Sequence, residues 1–321
     1  MKPLDVVVPY SNPIMWRSRR RVHDDFEDRM LATEGVRLTT VECAYGDRPF
    51  ELPDRPGVNR VRVRASTLVW NKENLVNLGV QRLPHDWEYL CVCDGDVQFR
   101  KPTWALEAVH ALQMYHVIQP WSDCYDLGPN GEHLQAHRSF LRQWWHGQPV
   151  SNTRWKFDGG AYEYPHSGYA WCFTRQAFEW LGGLLEVGAV GAGDHHMALA
   201  LVNRVMHSVP GQLAESYVRH LLAWEGRAQR LVGQRLGFLW GTIEHSWHGR
   251  KADRRYVDRW SIIKRHGFDP DTDLKRNSYG VLELAGNKPG LAHDLDAYFR
   301  QRNEDANSVD LGGRTAGGPA G

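Results

Sequence analysis

Strand-like and helix-like segments alternate over the first 120 residues of this chain, and few architectures accept that order. Residues 4–8 are apolar apart from Asp5 and stop at Pro9, the pattern of a buried parallel strand. Residues 17–31 place Val22, Phe26 and Met30 four apart, one apolar stripe along a helix. Residues 36–42 and 58–63 read as strands, and 71–81 as a helix carrying Leu75, Leu78 and Val80. A strand over 87–96, a helix over about 103–114 and a strand at Val117 and Ile118 complete the series. Such alternation predicts an α/β fold with a doubly wound sheet.

The second half is less regular. Residues 121–160 hold Trp121, Trp144, Trp145 and Trp155, few aliphatic residues and several turn formers, which predicts a long functional excursion. Residues 168–174 return to strand character and 175–181 to helix. A glycine-rich loop over 182–193 precedes helices at 194–205 and 213–231 and a strand at 236–244. After Asn303 the composition is that of a disordered tail.

At 321 residues and 42% apolar content, the chain has material for an ample core. A net charge of +1 sets up no global field toward nucleic acid or a membrane. The charge is local instead, with four arginines within 17–21 and a basic stretch over 250–265. No apolar window reaches the length of a membrane span, and no signal-peptide pattern precedes the first strand, so no membrane insertion is expected. The five cysteines are odd in number, and Cys91 and Cys93 stand two apart on one strand face, unsuited to a mutual disulfide. Reduced thiols and a cytoplasmic setting are the expectation. A Cys-x-Cys metal site would need a second pair, which the sequence lacks.

The strand over 87–96 ends in Asp94-Gly95-Asp96. Residues two apart share a strand face, so both carboxylates can converge past its C-terminal edge. That edge is where open α/β sheets bind ligands, and two hard oxygen donors there suit Mg²⁺ or Mn²⁺ holding a diphosphate. Read alone, the same triplet is equally a polar turn after a strand.

Five segments in order carry a resemblance. They are Val6 to Tyr10; Trp70 to Gly79; Asp94 to Asp96; His166 to Ala170 with Phe178 to Gly183 and Gly191 to Asp194; and Thr242 to Ser246. Together they resemble the GT-A fold nucleotide-sugar glycosyltransferases, similar to the inverting β-1,4-galactosyltransferase type and to bacterial and phage family-2 enzymes. The resemblance spans roughly residues 4–250. It implies a Rossmann-like mixed sheet flanked by helices in one catalytic domain over 1–300, with a flexible tail over 301–321. Within that domain, 1–120 would be the nucleotide-sugar half, 121–160 the aromatic excursion, and 161–300 the half bearing acceptor, base and metal histidine.

The resemblance also implies roles. Asp96 would bind the metal directly, with Asp94 sharing it or holding the ribose, and His245 as third ligand. His248 is the alternative ligand or a phosphate contact. Imidazole favours Mn²⁺ over Mg²⁺. Asp194 would be the base that takes the acceptor's proton; read alone it is a helix N-cap. Of the adjacent His195 and His196, only one can face the site, since helical neighbours point about 100° apart. Lys72 would meet the diphosphate or ribose, where the family carries arginine. Pro9, Tyr10 and Ser11 would frame the nucleotide base. Arg250, Lys251, Arg254 and Arg255 would close over the diphosphate or meet an anionic acceptor; each alone reads as a solvated charge. One departure matters: the pair before the helix is Gly193-Asp194 where the family carries Glu-Asp, and that glutamate contacts an acceptor sugar.

The expected reaction is transfer of a sugar from a nucleotide diphosphate donor, of UDP type, to a hydroxyl. The two basic segments and the tryptophans of the excursion point to a 5-hydroxymethylated base in DNA as acceptor, flipped out and stacked on aromatic rings. Surface polysaccharide or protein is the competing acceptor. A metal-dependent nucleotide-sugar hydrolase or a binding module without turnover are the readings from other classes. No obligate protein partner is evident.

Overall fold

In the computed structural model, residues 2–150, 155–156, 162–163, 165–254 and 258–306 are described. The opening apolar run becomes β1 (Leu4–Ser11). Its side chains alternate between two cores. Leu4, Val6 and Val8 face α1 (Arg17–Leu31) and α3 (Trp104–Ala111), whereas Val7 faces α2 (Lys72–Val80) on the other side. The same second core takes in α5 (Arg175–Leu181), α6 (Gly193–Leu201) and α7 (Glu215–Arg227).

β1 pairs in parallel with β2 (Val36–Tyr45) and β4 (Tyr89–Cys93), and β3 (Val58–Ala65) extends the sheet beyond β2. Past β4 lie β12 (Ala170–Thr174), β6 (Val117–Gln119) and β13 (Leu236–Phe238). β12 runs antiparallel to both of its neighbours. The result is a mixed seven-stranded sheet flanked by helices, the fold class expected from the alternation.

A second sheet of five strands was not expected. Its order is β11 (Pro165–His166), β8 (His133–Ser139), β7 (Asp123–Leu127), β14 (Thr242–His245) and β5 (Val97–Phe99). Residues 121–160 are therefore no simple loop. They supply β7, β8 and α4 (Phe140–Trp145), and Trp121 is fully buried in the core. The single strand expected over 236–244 is two strands in different sheets, with Gly241 between them accepting from Ser122 and Asp123. Two minor ladders, β9 (Trp155–Lys156) with β10 (Tyr162–Glu163) and β15 (Leu274–Arg276) with β16 (Leu282–Leu284), complete the strands described.

The chain then passes through α8 (Trp260–Arg265), α9 (Pro270–Asp273) and α10 (Pro289–Gln301). The turn after α10 packs against the body: Glu304 is 1% exposed, and Asp305 accepts from the backbone N–H groups of Arg17 and Ser18. Order thus extends past the expected start of the tail at residue 301. All five cysteines are buried, and none is in a disulfide. Among the described residues, no helix is long and apolar enough to cross a membrane.

Candidate active site

The two sheets meet where β4 gives way to β5, and the Asp-Gly-Asp turn sits at that join. β14 pairs antiparallel with β5, placing His245 opposite Val97, one residue beyond Asp96. Ser246 N–H donates to the Asp96 carbonyl at 2.8 Å, and His248 follows in the next turn. Asp96, His245 and His248 thereby converge, their candidate ligand atoms all within 4.8 Å of one another. His248 Nε2 is 2.9 Å and His245 Nε2 3.5 Å from Asp96 Oδ2, and the two Nε2 atoms are 3.2 Å apart. Ligands held at about 2.1 Å in adjacent octahedral positions stand about 3 Å apart, so these spacings suit one small divalent ion.

The electrostatics agree. Burial raises Asp96, but His245 and His248 outweigh it and leave the carboxylate well below its ordinary range. Burial lowers His245, yet Asp96 and then Asp126 raise it to about 9. The cluster draws in positive charge, which a divalent ion supplies better than a proton. Asp96 Oδ1 is buried with no hydrogen-bond partner among the described residues, a cost that ligation removes. One carboxylate and two imidazoles form a donor set suited to Mn²⁺.

Behind this cluster lies a residue that the sequence reading missed. β7 runs parallel to β14 with Asp126 in register with His245. Asp126 Oδ1 accepts from His245 Nδ1 and from the Tyr169 hydroxyl, each at 2.9 Å, and its other oxygen meets His137 Nε2. Burial raises Asp126, but hydrogen bonds from His137 and His245 hold it far below the carboxylate range. Strand alternation was the available signal, because Cys124 and Asp126 share the buried face of β7, and a buried carboxylate needs partners.

Asp94 is not part of that trio. Its Oδ1 meets Lys72 Nζ at 2.5 Å, at the first residue of α2. Burial lowers Lys72, but Asp94, Asp194 and Glu73 outweigh it and keep the ammonium charged. Asp194 opens α6, half-buried, and accepts from the His195 backbone N–H at 2.8 Å. It is the second residue of the helix and not its N-cap, which is Ala192. Two glycines clear space around it. A Cβ on Gly168 would lie 2.9 Å from Asp194 Oδ2, and one on Gly193 would lie 2.5 Å from Glu73 Oε1. Glu73 is buried, and its carboxyl is pushed up to about 7, first by burial and further by Asp194, against the pull of Lys72. A carboxyl from α2 thus occupies the space that residue 193, next to Asp194, leaves open.

The remaining expected site residues are placed unevenly. Pro9 and Ser11 are half-buried at the end of β1, and Ser11 Oγ is 2.8 Å from the Tyr45 hydroxyl. Tyr10 is turned inward instead, its hydroxyl donating to Glu51 at 2.8 Å. Arg250 grips Asp253 through Nε at 3.0 Å and Nη2 at 3.2 Å. The Lys251 side chain and all of Arg255 lie outside the described residues. Arg254 is buried, with Nη2 3.0 Å from His248 Nε2. Of the adjacent histidines, His196 belongs to the core: it is fully buried and bonded to Ser208 and Tyr217. His195 is the half-buried neighbour.

The features read as a DNA surface divide between the interior and the surface. Trp121 is buried in the core beneath α1 and α3, Trp144 packs against the core on the opposite side of the sheet, and the Trp155 side chain lies outside the described residues. Trp145 is exposed. Arg19 pairs with Glu304, Arg20 with Asp24, Arg259 is buried and Arg265 pairs with Asp294.

No protein-family model and no curated protein matches the chain. Several solved structures are similar to this chain, among them the following three. One is the mannosyltransferase PcManGT of Pyrobaculum calidifontis with GDP-Man and Mn²⁺: 16% identity, 94% of this chain, 71% of that chain, TM-score 0.45. Another is a mutant of Drosophila β1,4-galactosyltransferase 7 with manganese, UDP-Gal and xylobiose: 12% identity, 91% of this chain, 99% of that chain, TM-score 0.40. The third is S. aureus TarS: 11% identity, 63% of this chain, TM-score 0.38, with the match spanning 56% of the TarS chain.

Proposed function

We propose that this protein is a divalent-metal-dependent glycosyltransferase, moving a sugar from a nucleoside diphosphate donor of UDP type to a hydroxyl group with inversion. The observation that carries the reading is the convergence of Asp96, His245 and His248 on one ion-sized position. Lys72 and Asp194 flank the neighbouring Asp94. In this reading Asp96, His245 and His248 hold Mn²⁺, which supplies Lewis-acid stabilisation of the leaving diphosphate. Lys72 adds a fixed positive charge for the phosphates, and Asp94 orients Lys72 and the ribose. Pro9 and Ser11 border the base at the end of β1.

Asp194 takes the proton of the acceptor hydroxyl as its oxygen bonds to the anomeric carbon. The bond from that carbon to the diphosphate breaks on the opposite face, and the diphosphate leaves with the electron pair. Glu73 lies where the acceptor's hydroxyls would pass the base. A neutral, hydroxyl-bearing acceptor suits this cleft. A hydroxymethylated base in DNA is one such acceptor, although Trp121 is core and Arg19 and Arg259 are engaged within the protein.

The test offers a panel of nucleotide sugars, with acceptors that include glycans and duplex DNA bearing hydroxymethylcytosine. Wild-type protein should transfer sugar only with Mn²⁺ or Mg²⁺ present. Asp96→Ala should abolish transfer without loss of fold. Asp194→Asn should bind donor normally and slow transfer by about a hundredfold or more. Full activity in chelator sinks the metal role. Nucleotide release without sugar transfer to any acceptor establishes the hydrolase instead, and a retained anomeric configuration removes Asp194 as base.

A further inference from the structure

Both histidines of the proposed metal centre present Nε2 to Asp96 and turn Nδ1 away, and each Nδ1 meets a buried carboxylate. For His245 the carboxylate is Asp126, at 2.9 Å. For His248 it is Glu304, whose Oε2 lies 3.6 Å from Nδ1. The two come from distant parts of the chain, β7 and the turn after α10. A histidine that ligates through one nitrogen is fixed in tautomer and orientation by a carboxylate at the other.

At His248 the Nε2 edge is taken up by Asp96 Oδ2 at 2.9 Å and Arg254 Nη2 at 3.0 Å, which leaves Nδ1 as the edge facing Glu304. Glu304 is itself clamped. Arg19 Nε and Arg302 Nε each donate to it at 2.8 Å. Burial raises Glu304, but Arg19 and Arg302 keep it ionised.

The segment around Glu304 is fastened to the metal loop at further points. The Trp247 indole N–H donates to the Ala306 carbonyl at 2.8 Å. Gly249 sits so close that a Cβ there would lie 2.7 Å from the Glu304 Cα. The Arg302 guanidinium lies 5.1 Å over the Trp70 ring, two residues before Lys72. Asp305 ties the same turn to the start of α1.

We propose that Asp126 and Glu304 are the positioning residues of the metal centre, and that residues 302–306 form a strap completing it from the C-terminal side. The assignment rests on the reading of Asp96, His245 and His248 as metal ligands. It gives Arg19, from the arginine-rich start of α1, the task of holding Glu304.

The test measures Mn²⁺ affinity of the full chain by titration calorimetry, and of free Mn²⁺ by its paramagnetic resonance signal. Thermal melting in chelator runs alongside. Asp126→Asn and Glu304→Gln should each bind Mn²⁺ about 10–100-fold more weakly, while melting in chelator stays near wild type. Glu304→Asp should recover part of the loss. If wild type and Asp96→Ala both fail to bind Mn²⁺, the metal reading itself falls. If wild type binds and Asp96→Ala does not, but the two carboxamide variants bind as wild type, the metal reading stands and the positioning assignment is overturned. A variant that has lost its fold in chelator marks its carboxylate as structural, which overturns the assignment for that residue.

Discussion

At the scale of single residues, the cleft depends on what is absent as much as on what is present. Gly168 lets Asp194 stand where a methyl group would lie 2.9 Å from its Oδ2, and His166 closes the other side of that space at the same distance. If Asp194 is the proposed base, Gly168→Ala should push it aside and slow transfer by about a hundredfold, the scale of a 1 Å misplacement. Affinity for Mn²⁺ and donor should be unchanged; equal kcat in the variant would show that Asp194 has room to move. The backbone is also held in uncommon shapes here. Tyr169 and Ala192 have φ of 76° without being glycine, on the segments that carry Asp126's hydroxyl partner and the start of α6. Such conformations persist only where surrounding contacts over-determine them.

At the scale of elements, α6 divides its work between two faces. Asp194 and His195 are half-buried, while His196 is locked in the core between Ser208 and Tyr217. Burial, with His195 and Arg259 adding to it, pushes His196 down to about 3. The unfolded chain binds a proton at this histidine near its ordinary value of about 6.5, and the folded chain does not. Stability contributed here is full above that value and is lost as pH falls below it. Between pH 7 and 5, wild type should lose about 2 kcal/mol more stability than His196→Gln. Urea unfolding at the two pH values checks this, and parallel losses would remove the histidine from the account.

The elements also show which parts of the site were legible in the sequence. The turn at Asp94 to Asp96 was visible because β4 is an uninterrupted apolar run that ends abruptly. His245 is legible only through the family resemblance of Thr242 to Ser246, since the strand expected from the pattern stops at residue 244, one short of the end of β14. Asp126 was not, since β7 alternates half-buried and buried residues around polar side chains and resembles a turn-rich loop. Its meaning appears only when β14 arrives beside it from 119 residues later. Glu304 was hidden for a different reason: it lies past the last helix, among residues whose composition alone predicts disorder.

At the scale of the molecule, the candidate metal site gathers the join between the two sheets, the loop after β14 and the turn after α10. An ion bound there holds only in the folded state, so it should stabilise the whole protein. With Mn²⁺ at a hundred times its dissociation constant, the gain should be about 2.7 kcal/mol. Urea unfolding with Mn²⁺ and with chelator measures it, and identical curves would mean that no ion binds the native state. The position of Glu304 carries one more consequence, for synthesis. A chain is made from its N-terminus, and its early segments begin to fold while later ones are still being added. Both sheets can assemble before residue 304 has been translated, but His248 then lacks its carboxylate. The growing polypeptide would carry a finished scaffold while the candidate metal site still awaits this carboxylate, which arrives only once residue 304 has been made.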